Sequence, residues 1–174
     1  MKLLVVSDSH GDRQIVADLL DHYQNQVDAV IHCGDSEMQS TDPLLDQLIM
    51  VQGNMDLANF SLIQKKIIDN QTILITHGHR FGVNGGLLKL ELLAQQENAN
   101  LVFFGHSHQL GAEENRGRIF VNPGSISQPR GKYAFIGGTY AIVEAQSNRV
   151  TIQFYDRNFN LIPELECHFN EGDD

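Results

Sequence analysis

The sequence predicts an α/β fold in which two packed mixed β-sheets are flanked by helices. Three observations lead to this prediction. Buried apolar runs alternate with amphipathic helical periodicity near the N-terminus, a strand hairpin and a second strong helix follow, and strands dominate the last part of the chain. No internal repeat, low-complexity tract or linker interrupts the pattern. We therefore expect a single domain over residues 1–174.

The N-terminal part indicates a βαβαβ unit. Residues 2–7 are continuously apolar, which predicts a buried strand. Apolar residues at helical spacing predict a helix from Asp12 to about Gln24. Residues 29–33 and 48–52 are two further strands, and Thr41-Asp42-Pro43 between them is typical of a helix start. Such a unit implies a parallel sheet.

The rest of the chain is predicted to be richer in strands. Strands at 62–68 and 72–76 are joined through Asp69-Asn70-Gln71 as a hairpin, and a helix follows at 85–96. The remaining predicted strands are 101–104, 118–121, 135–143, 150–155 and 161–168, with turns at Ser147-Asn148 and Asn158. Exposed strand edges in this second sheet favour a homo-oligomer.

Composition limits the functional classes. The 174 residues carry a net charge of −10, part of it in the tail 171–174, and this argues against nucleic acid as the main partner. The densest basic spots, Lys65-Lys66 and Arg130-Lys132, do not make the groove of a nuclease. Cys33 and Cys167 form no disulfide framework, and reduced thiols fit a cytoplasmic protein. The apolar N-terminal run is too short for a signal peptide, and no stretch is long enough to span a membrane.

Seven side chains that can bind metals follow the ends of short apolar runs. They are Asp8, His10, Asp35, Asn54, His77, His106 and His108. Ligands bind outside the carboxyl ends of the strands in an open α/β sheet, so we expect five strands to deliver this set to one edge. Carboxylate, imidazole and amide oxygen suit hard to borderline divalent metals. The set is too rich for one ion and favours two.

Each motif also has a plain structural interpretation. Asp8 and Ser9 are good helix N-caps, and Gly34-Asp35 and Gly53-Asn54 are typical turns. A lone histidine beside a strand is more often structural, whereas two His-x-His units, at 77–79 and 106–108, are hard to explain by packing. The other histidines fit ordinary positions on a helix face, inside a strand and near the C-terminus: His22, His32 and His168.

Five motifs occur in a fixed order: Asp8-x-His10, Gly34-Asp35, Gly53-Asn54, His77-Gly78 and Gly105-His106-x-His108. This order resembles the calcineurin-like metallophosphoesterase superfamily over roughly the first two-thirds of the chain. The segment Asn122-Pro123-Gly124-Ser125, with Pro129-Arg130 soon after, is similar to a small bacterial and archaeal phosphodiesterase branch of that family. The resemblance implies a four-layer α/β/β/α sandwich, whose second sheet fits the strand-rich C-terminal part.

The resemblance further implies a metal-dependent phosphodiesterase that holds two divalent ions. One ion would take Asp8, His10, Asp35 and His108; the other would take Asp35, Asn54, His77 and His106, with Asp35 bridging. A metal-bridging hydroxide would attack a small phosphoester substrate. Nitrogen and oxygen ligands without thiolate leave the metal open, with manganese favoured and iron, zinc, nickel or cobalt as alternatives.

The alternative function is a catalytically weak or silent protein-interaction scaffold, similar to the metallophosphoesterase-fold subunit of the retromer coat. A scaffold is free to lose metal ligands. This chain has a ligand at every matching position, which favours the enzyme.

Met55 departs from the family pattern. Many members carry a histidine directly after the motif asparagine, where it protonates the leaving group, but here Met55 follows Asn54. A thioether donates no proton, so we expect a preference for good leaving groups. His79 is the candidate substitute and joins Asn54 as a predicted catalytic residue, although it could instead orient His77. Asp56 fits a turn or supporting role better than catalysis.

Overall fold

The computed structural model describes residues 1–146 and 149–170, which form two β-sheets and two α-helices. The predicted turn Ser147-Asn148 and the acidic tail 171–174 lie outside the described residues. The helices are α1 (Arg13–His22) and α2 (Leu88–Gln96). The strands are β1 (Lys2–Val6), β2 (Ala29–His32), β3 (Ile49–Met50), β4 (Ile63–Ile68), β5 (Gln71–Thr76), β6 (Leu101–Phe103), β7 (Gly111–Asn115), β8 (Arg118–Asn122), β9 (Thr139–Gln146), β10 (Arg149–Asp156) and β11 (Cys167–Asn170).

Both sheets are mixed, as predicted. The first has the order β11-β10-β9-β1-β2-β3, with β1, β2 and β3 parallel and β9 antiparallel to β1. The second has the order β4-β5-β6-β8-β7, with β5, β6 and β8 parallel and antiparallel strands at both edges. The carboxyl ends of the parallel strands carry the loops that hold the predicted metal ligands.

The four-layer sandwich is confirmed by three apolar cores. In β1, Leu3 and Val5 pack between the two sheets, while Leu4 and Val6 face α1. The outer face of the second sheet packs on α2 through residues such as Leu90. Because β1 is covered on both faces, its sequence is continuously apolar rather than alternating.

Local sequence signals explain two elements well. The Asp12 side chain accepts a hydrogen bond from Ile15 N at 3.2 Å and so caps α1. The predicted hairpin joins β4 to β5 through Asp69 and Asn70, whose φ angles are 49° and 64°. Two successive positive φ angles define the type I′ turn that two-residue hairpins favour.

Other predicted boundaries were wrong. The segment after Asp42 is a 3₁₀ helix, Pro43–Gln47, and β3 has only two residues. The 3₁₀ turn Ala134–Ile136 overlaps the start of the predicted strand 135–143, and the 3₁₀ turn Pro163–Leu165 lies inside the predicted strand 161–168. Strand β7 was not predicted at all, because its exposed, glutamate-rich sequence shows no apolar alternation and its conformation depends on pairing with β8.

Two predictions from composition can be compared with the structure. Cys33 and Cys167 are both free thiols, as expected. Across residues 1–146 and 149–170, no helix combines the length and apolarity that crossing a bilayer requires.

Candidate metal centre

The loops after β1 and β2 lie side by side at the edge of the first sheet. Asp8 N donates to Gly34 O and His10 N donates to Asp35 O, each at 3.0 Å. The φ angles of Asp8, His10 and Asp35 are 56°, 45° and 53°, in the left-handed region that L residues rarely adopt. Such strain persists where the surroundings enforce it, and it is concentrated at functional sites.

The loop after β6 approaches from the second sheet. His106 and His108 also have left-handed φ angles, 66° and 60°. A Cβ atom at Gly105 would lie only 2.0 Å from Ser7 Oγ and 2.6 Å from Asp8 Oδ2. Glycine at this position therefore lets the edges of the two sheets meet closely enough for their side chains to share a site.

A first group of ligand atoms joins Asp8, His10 and His108. His108 Nε2 lies 3.2 Å from Asp8 Oδ1 and 3.3 Å from His10 Nε2. One ligand atom from each residue lies within 4.8 Å of the other two. These distances suit three ligands converging on one ion.

A second group joins Asp8, Asp35 and His77. His77 Nε2 lies 3.2 Å from Asp35 Oδ2 and 3.9 Å from Asp8 Oδ1. Asn54 Oδ1 lies 3.2 Å from the same nitrogen, and the His106 ring centroid lies 5.2 Å from that of His77. The structure thus brings five predicted ligands into two groups that share Asp8, and it places Asn54 and His106 beside the second.

The hydrogen-bonding of these groups fits a bound cation. His77 Nδ1 and His108 Nδ1 each lie 2.7 Å from a backbone carbonyl oxygen, which can only accept, so both nitrogens carry the proton. A neutral ring in this tautomer points the lone pair of Nε2 into the site. Within the described residues, the buried Oδ1 of Asp8 has no hydrogen-bond partner. Acceptors that converge in this way are satisfied by a cation.

Asp56 holds two of the ligand loops together. Its Oδ2 accepts hydrogen bonds from Asp35 N at 2.9 Å and from Gly53 N at 2.7 Å, and its Oδ1 accepts one from Glu37 N at 2.7 Å. Met55 N donates in turn to Asp35 Oδ1 at 2.7 Å. A single buried carboxylate therefore fixes the backbone on both sides of the second group.

Comparison with known families identifies the chain. A family model described as the calcineurin-like phosphoesterase superfamily domain matches residues 1–148.

The chain belongs to this superfamily.

Its relatives carry names that agree with the motifs. A Bacillus subtilis protein named "Probable metallophosphoesterase YsnB" is 36% identical over 167 residues, covering 95% of this chain and 97% of the relative. Phosphodiesterase YfcE of Escherichia coli is 30% identical over 159 residues, covering 75% of this chain and 82% of the relative. The named relatives support a hydrolase, and a metallophosphoesterase family implies divalent metal ions.

Solved structures agree in fold. A Streptococcus pneumoniae protein described as a predicted phosphoesterase superposes with a TM-score of 0.93 at 38% identity, covering 98% of this chain and 97% of that one. Vps29 of Entamoeba histolytica, solved with Zn²⁺, superposes with a TM-score of 0.73 at 21% identity, covering 98% of this chain and 99% of that one. At that identity the second likeness shows the fold alone.

The carboxylates of the candidate centre raise the pKa of two nearby histidines. Burial lowers the pKa of His77, but its hydrogen bond to Asp35 and the charge of Asp8 outweigh burial, so the pKa is raised. Burial likewise lowers the pKa of His108, but contact with Asp8 raises it overall. Protons and cations compete for ligands of this kind, so metal affinity should fall as the pH drops through these raised pKa values.

His79 lies beside the second group. Its ring centroid is 5.4 Å from that of His77 and 6.1 Å from that of His106. Burial, and then the charges of these two rings, lower the pKa of His79. The hydrogen bond that orients His77 runs from its Nδ1 to the Cys33 carbonyl oxygen.

Several contacts in the centre gave no signal in the sequence. Ser125 Oγ donates to Asp8 O at 2.8 Å, and Glu37 Oε1 lies 2.9 Å from His10 Nδ1. His32, expected to be structural, is fully buried with Nδ1 accepting from Gly34 N, and burial lowers its pKa to about 4. The motif containing Ser125 was singled out only through the family resemblance. Contacts to backbone carbonyl oxygens cannot be predicted from residue types, because every residue carries such an oxygen.

Proposed function

We propose that this protein is a metal-dependent phosphodiesterase that hydrolyses small phosphoesters at a dinuclear site. The two groups of ligand atoms that share Asp8 carry this proposal. When bound, two divalent ions would polarise the phosphoryl oxygens and supply a hydroxide nucleophile. Manganese is the proposed metal, with iron, zinc, nickel and cobalt as alternatives that the same ligands accept.

The proposed ligand sets follow the family motifs. Asp8, His10 and His108 would hold one ion together with Asp35. Asp35, Asn54, His77 and His106 would hold the other. Asp35 is the proposed bridging ligand, supported by its position beside His77 and by the two oxygens it can offer. Asp8 belongs to both groups, because its Oδ1 lies 3.2 Å from His108 Nε2 and 3.9 Å from His77 Nε2.

Two residues are proposed to act on the substrate. Asn54 is exposed and its Oδ1 lies 3.2 Å from His77 Nε2, so it would face a phosphoryl group bound at the second group. His79, next to His77 and His106, is proposed to donate the proton or contact the phosphate where Met55 does not. The lowered pKa of His79 keeps its ring mostly neutral near pH 7, so we expect its proton donation to be weaker than that of an imidazolium.

The setting of this activity is part of the proposal. A single metallophosphoesterase domain over residues 1–174 would work in the cytoplasm on a small phosphoester and not on nucleic acid. The outer edges of β4 and β7 offer surfaces through which copies could associate. The alternative scaffold function is supported only by the range of roles that proteins of this fold have, whereas the full set of predicted metal ligands supports hydrolysis.

Metal removal is the direct test of the proposed function. Exhaustive chelation should abolish turnover of an activated aryl phosphodiester, and adding Mn²⁺ should restore it, because the chemistry is assigned to the ions. Elemental analysis of the purified protein should find two ions per chain. Unchanged turnover after chelation would contradict the mechanism, and tight metal binding without turnover on monoesters, diesters or cyclic nucleotides would favour the scaffold.

Met55→His tests the missing proton donor. Met55 is 51% exposed and its backbone is fixed to Asp35, so a new imidazole should be tolerated close to the site. We expect turnover of diesters with poor leaving groups to rise by about 100-fold, the lower end of general acid catalysis, with little change for activated esters. The measurement is kcat across a leaving-group series.

Leu57→His is the matched control for this variant. Leu57 lies two residues further along the same loop and is fully exposed. An equal rise in both variants would mean that a nearby imidazole, and not the position of residue 55, is responsible. No change in either variant would place the proton donor elsewhere.

A further inference from the structure

His10 differs from the other two histidines of the ligand groups in what holds its outer nitrogen. His77 and His108 each donate from Nδ1 to a backbone carbonyl oxygen at 2.7 Å. His10 Nδ1 instead lies 2.9 Å from Glu37 Oε1. Among these three described rings, His10 is the one whose outer nitrogen contacts a side chain and not the backbone. A substitution can therefore remove this contact.

The Glu37 contact is fixed by the backbone. Glu37 N donates to Asp56 Oδ1 at 2.7 Å, and Ser36 Oγ donates to the same oxygen at 3.1 Å. Glu37 has a left-handed φ of 57°, and its side chain reaches His10 in the loop after β1. The same buried carboxylate that holds the Asp35 loop therefore also places the partner of His10.

Exposure separates the two partners. The His10 side chain is 9% exposed and the Glu37 side chain is 38% exposed. Replacing Glu37 should therefore leave the apolar cores intact, while the ring it holds lies almost wholly inside the site. This allows the effect on His10 to be measured without loss of the fold.

We propose that Glu37 is a positioning residue that holds His10 in the Nδ1–H tautomer and so directs its Nε2 toward Asp8 and His108. The inference rests on the proposed function, because it concerns the same metal centre. A carboxylate that accepts a hydrogen bond from the outer nitrogen of a ligand histidine fixes the ring. It also makes the inner nitrogen more basic and so a better metal ligand. The ion held by His10 thus depends on a carboxylate at the protein surface.

The test compares three variants by two measurements. Glu37→Ala removes the contact, and Glu37→Gln keeps an oxygen that can accept from Nδ1. Glu166→Ala breaks a similar pair outside the ligand groups, in which Glu166 Oε1 lies 3.0 Å from Nε2 of His168 on β11. The measurements are the His10 tautomer by ¹⁵N NMR in the metal-free protein and Mn²⁺ binding by titration calorimetry.

We expect Glu37→Ala to populate both His10 tautomers and to weaken one Mn²⁺ site about 10- to 100-fold. Glu37→Gln should stay close to the wild type in both measurements, and Glu166→Ala should match it. An unchanged tautomer and unchanged Mn²⁺ affinity in Glu37→Ala would overturn the proposal. If the wild type bound no Mn²⁺, the proposed function would fail, while the tautomer measurement would still decide the role of Glu37.

Discussion

Asp35→Asn is expected to lower kcat/KM for phosphodiesters by about 1000-fold, or ~4 kcal/mol of transition-state stabilisation. The Asp35 carboxylate is 2% exposed and lies 3.2 Å from His77 Nε2. An amide removes the negative charge and turns an N–H donor toward one of its neighbours, so the site loses the ligand proposed to serve both ions. Elemental analysis should find less than one ion per chain, and the thermal stabilisation by added Mn²⁺ should be lost as well.

Asp28→Asn is the matched control for this loss. Asp28 Oδ2 accepts a hydrogen bond from Lys2 N at 2.6 Å, outside the ligand groups, so the same chemical change occurs beside a backbone donor. This variant should keep full activity and metal content. A fully metallated and active Asp35→Asn protein would refute the bridging role and leave Asp8, the residue common to both ligand groups, as the bridge.

Gly53→Ala is expected to lower the free energy of unfolding by about 3 kcal/mol and to abolish metal binding. A Cβ atom at this position would lie 2.0 Å from Asp35 Oδ1 and 2.3 Å from Asp35 N. The backbone nitrogen cannot retreat easily, because Asp56 holds both Asp35 N and Gly53 N. Relief of the clash must therefore separate the two ligand loops. Urea unfolding of the metal-free and metal-loaded proteins measures the effect.

Gly111→Ala controls for the general effect of losing a glycine. An added Cβ there meets nothing within 4 Å, and Gly111 lies at the start of β7. Stability should change by less than about 0.5 kcal/mol, as for ordinary surface substitutions. Equal losses in the two variants would show that the close approach to Asp35 is not the cause.

The fold class could be predicted because its signals are local. Strand β1 is apolar at every position because both of its faces are covered, and Asp69-Asn70 favours the tight turn that forms the hairpin. Strand β7 could not be predicted from the sequence. Its conformation comes from pairing with β8, a partner that leaves no periodic trace in an exposed edge strand.

The candidate site divides in the same way. The sequence by itself determined which side chains of metal-binding type follow the strands and in what order, since Asp8, His77 and their companions each stand just after the carboxyl end of a strand. Only the tertiary structure decided which atoms meet. Asp8 Oδ1 lies near both His77 and His108, Asp56 joins two loops, and Glu37 contacts His10. Those contacts need left-handed backbone turns. They also need a glycine, which has no Cβ atom, where the two sheets approach each other. Both are imposed by packing between residues far apart in the chain, and a linear pattern does not encode such distances.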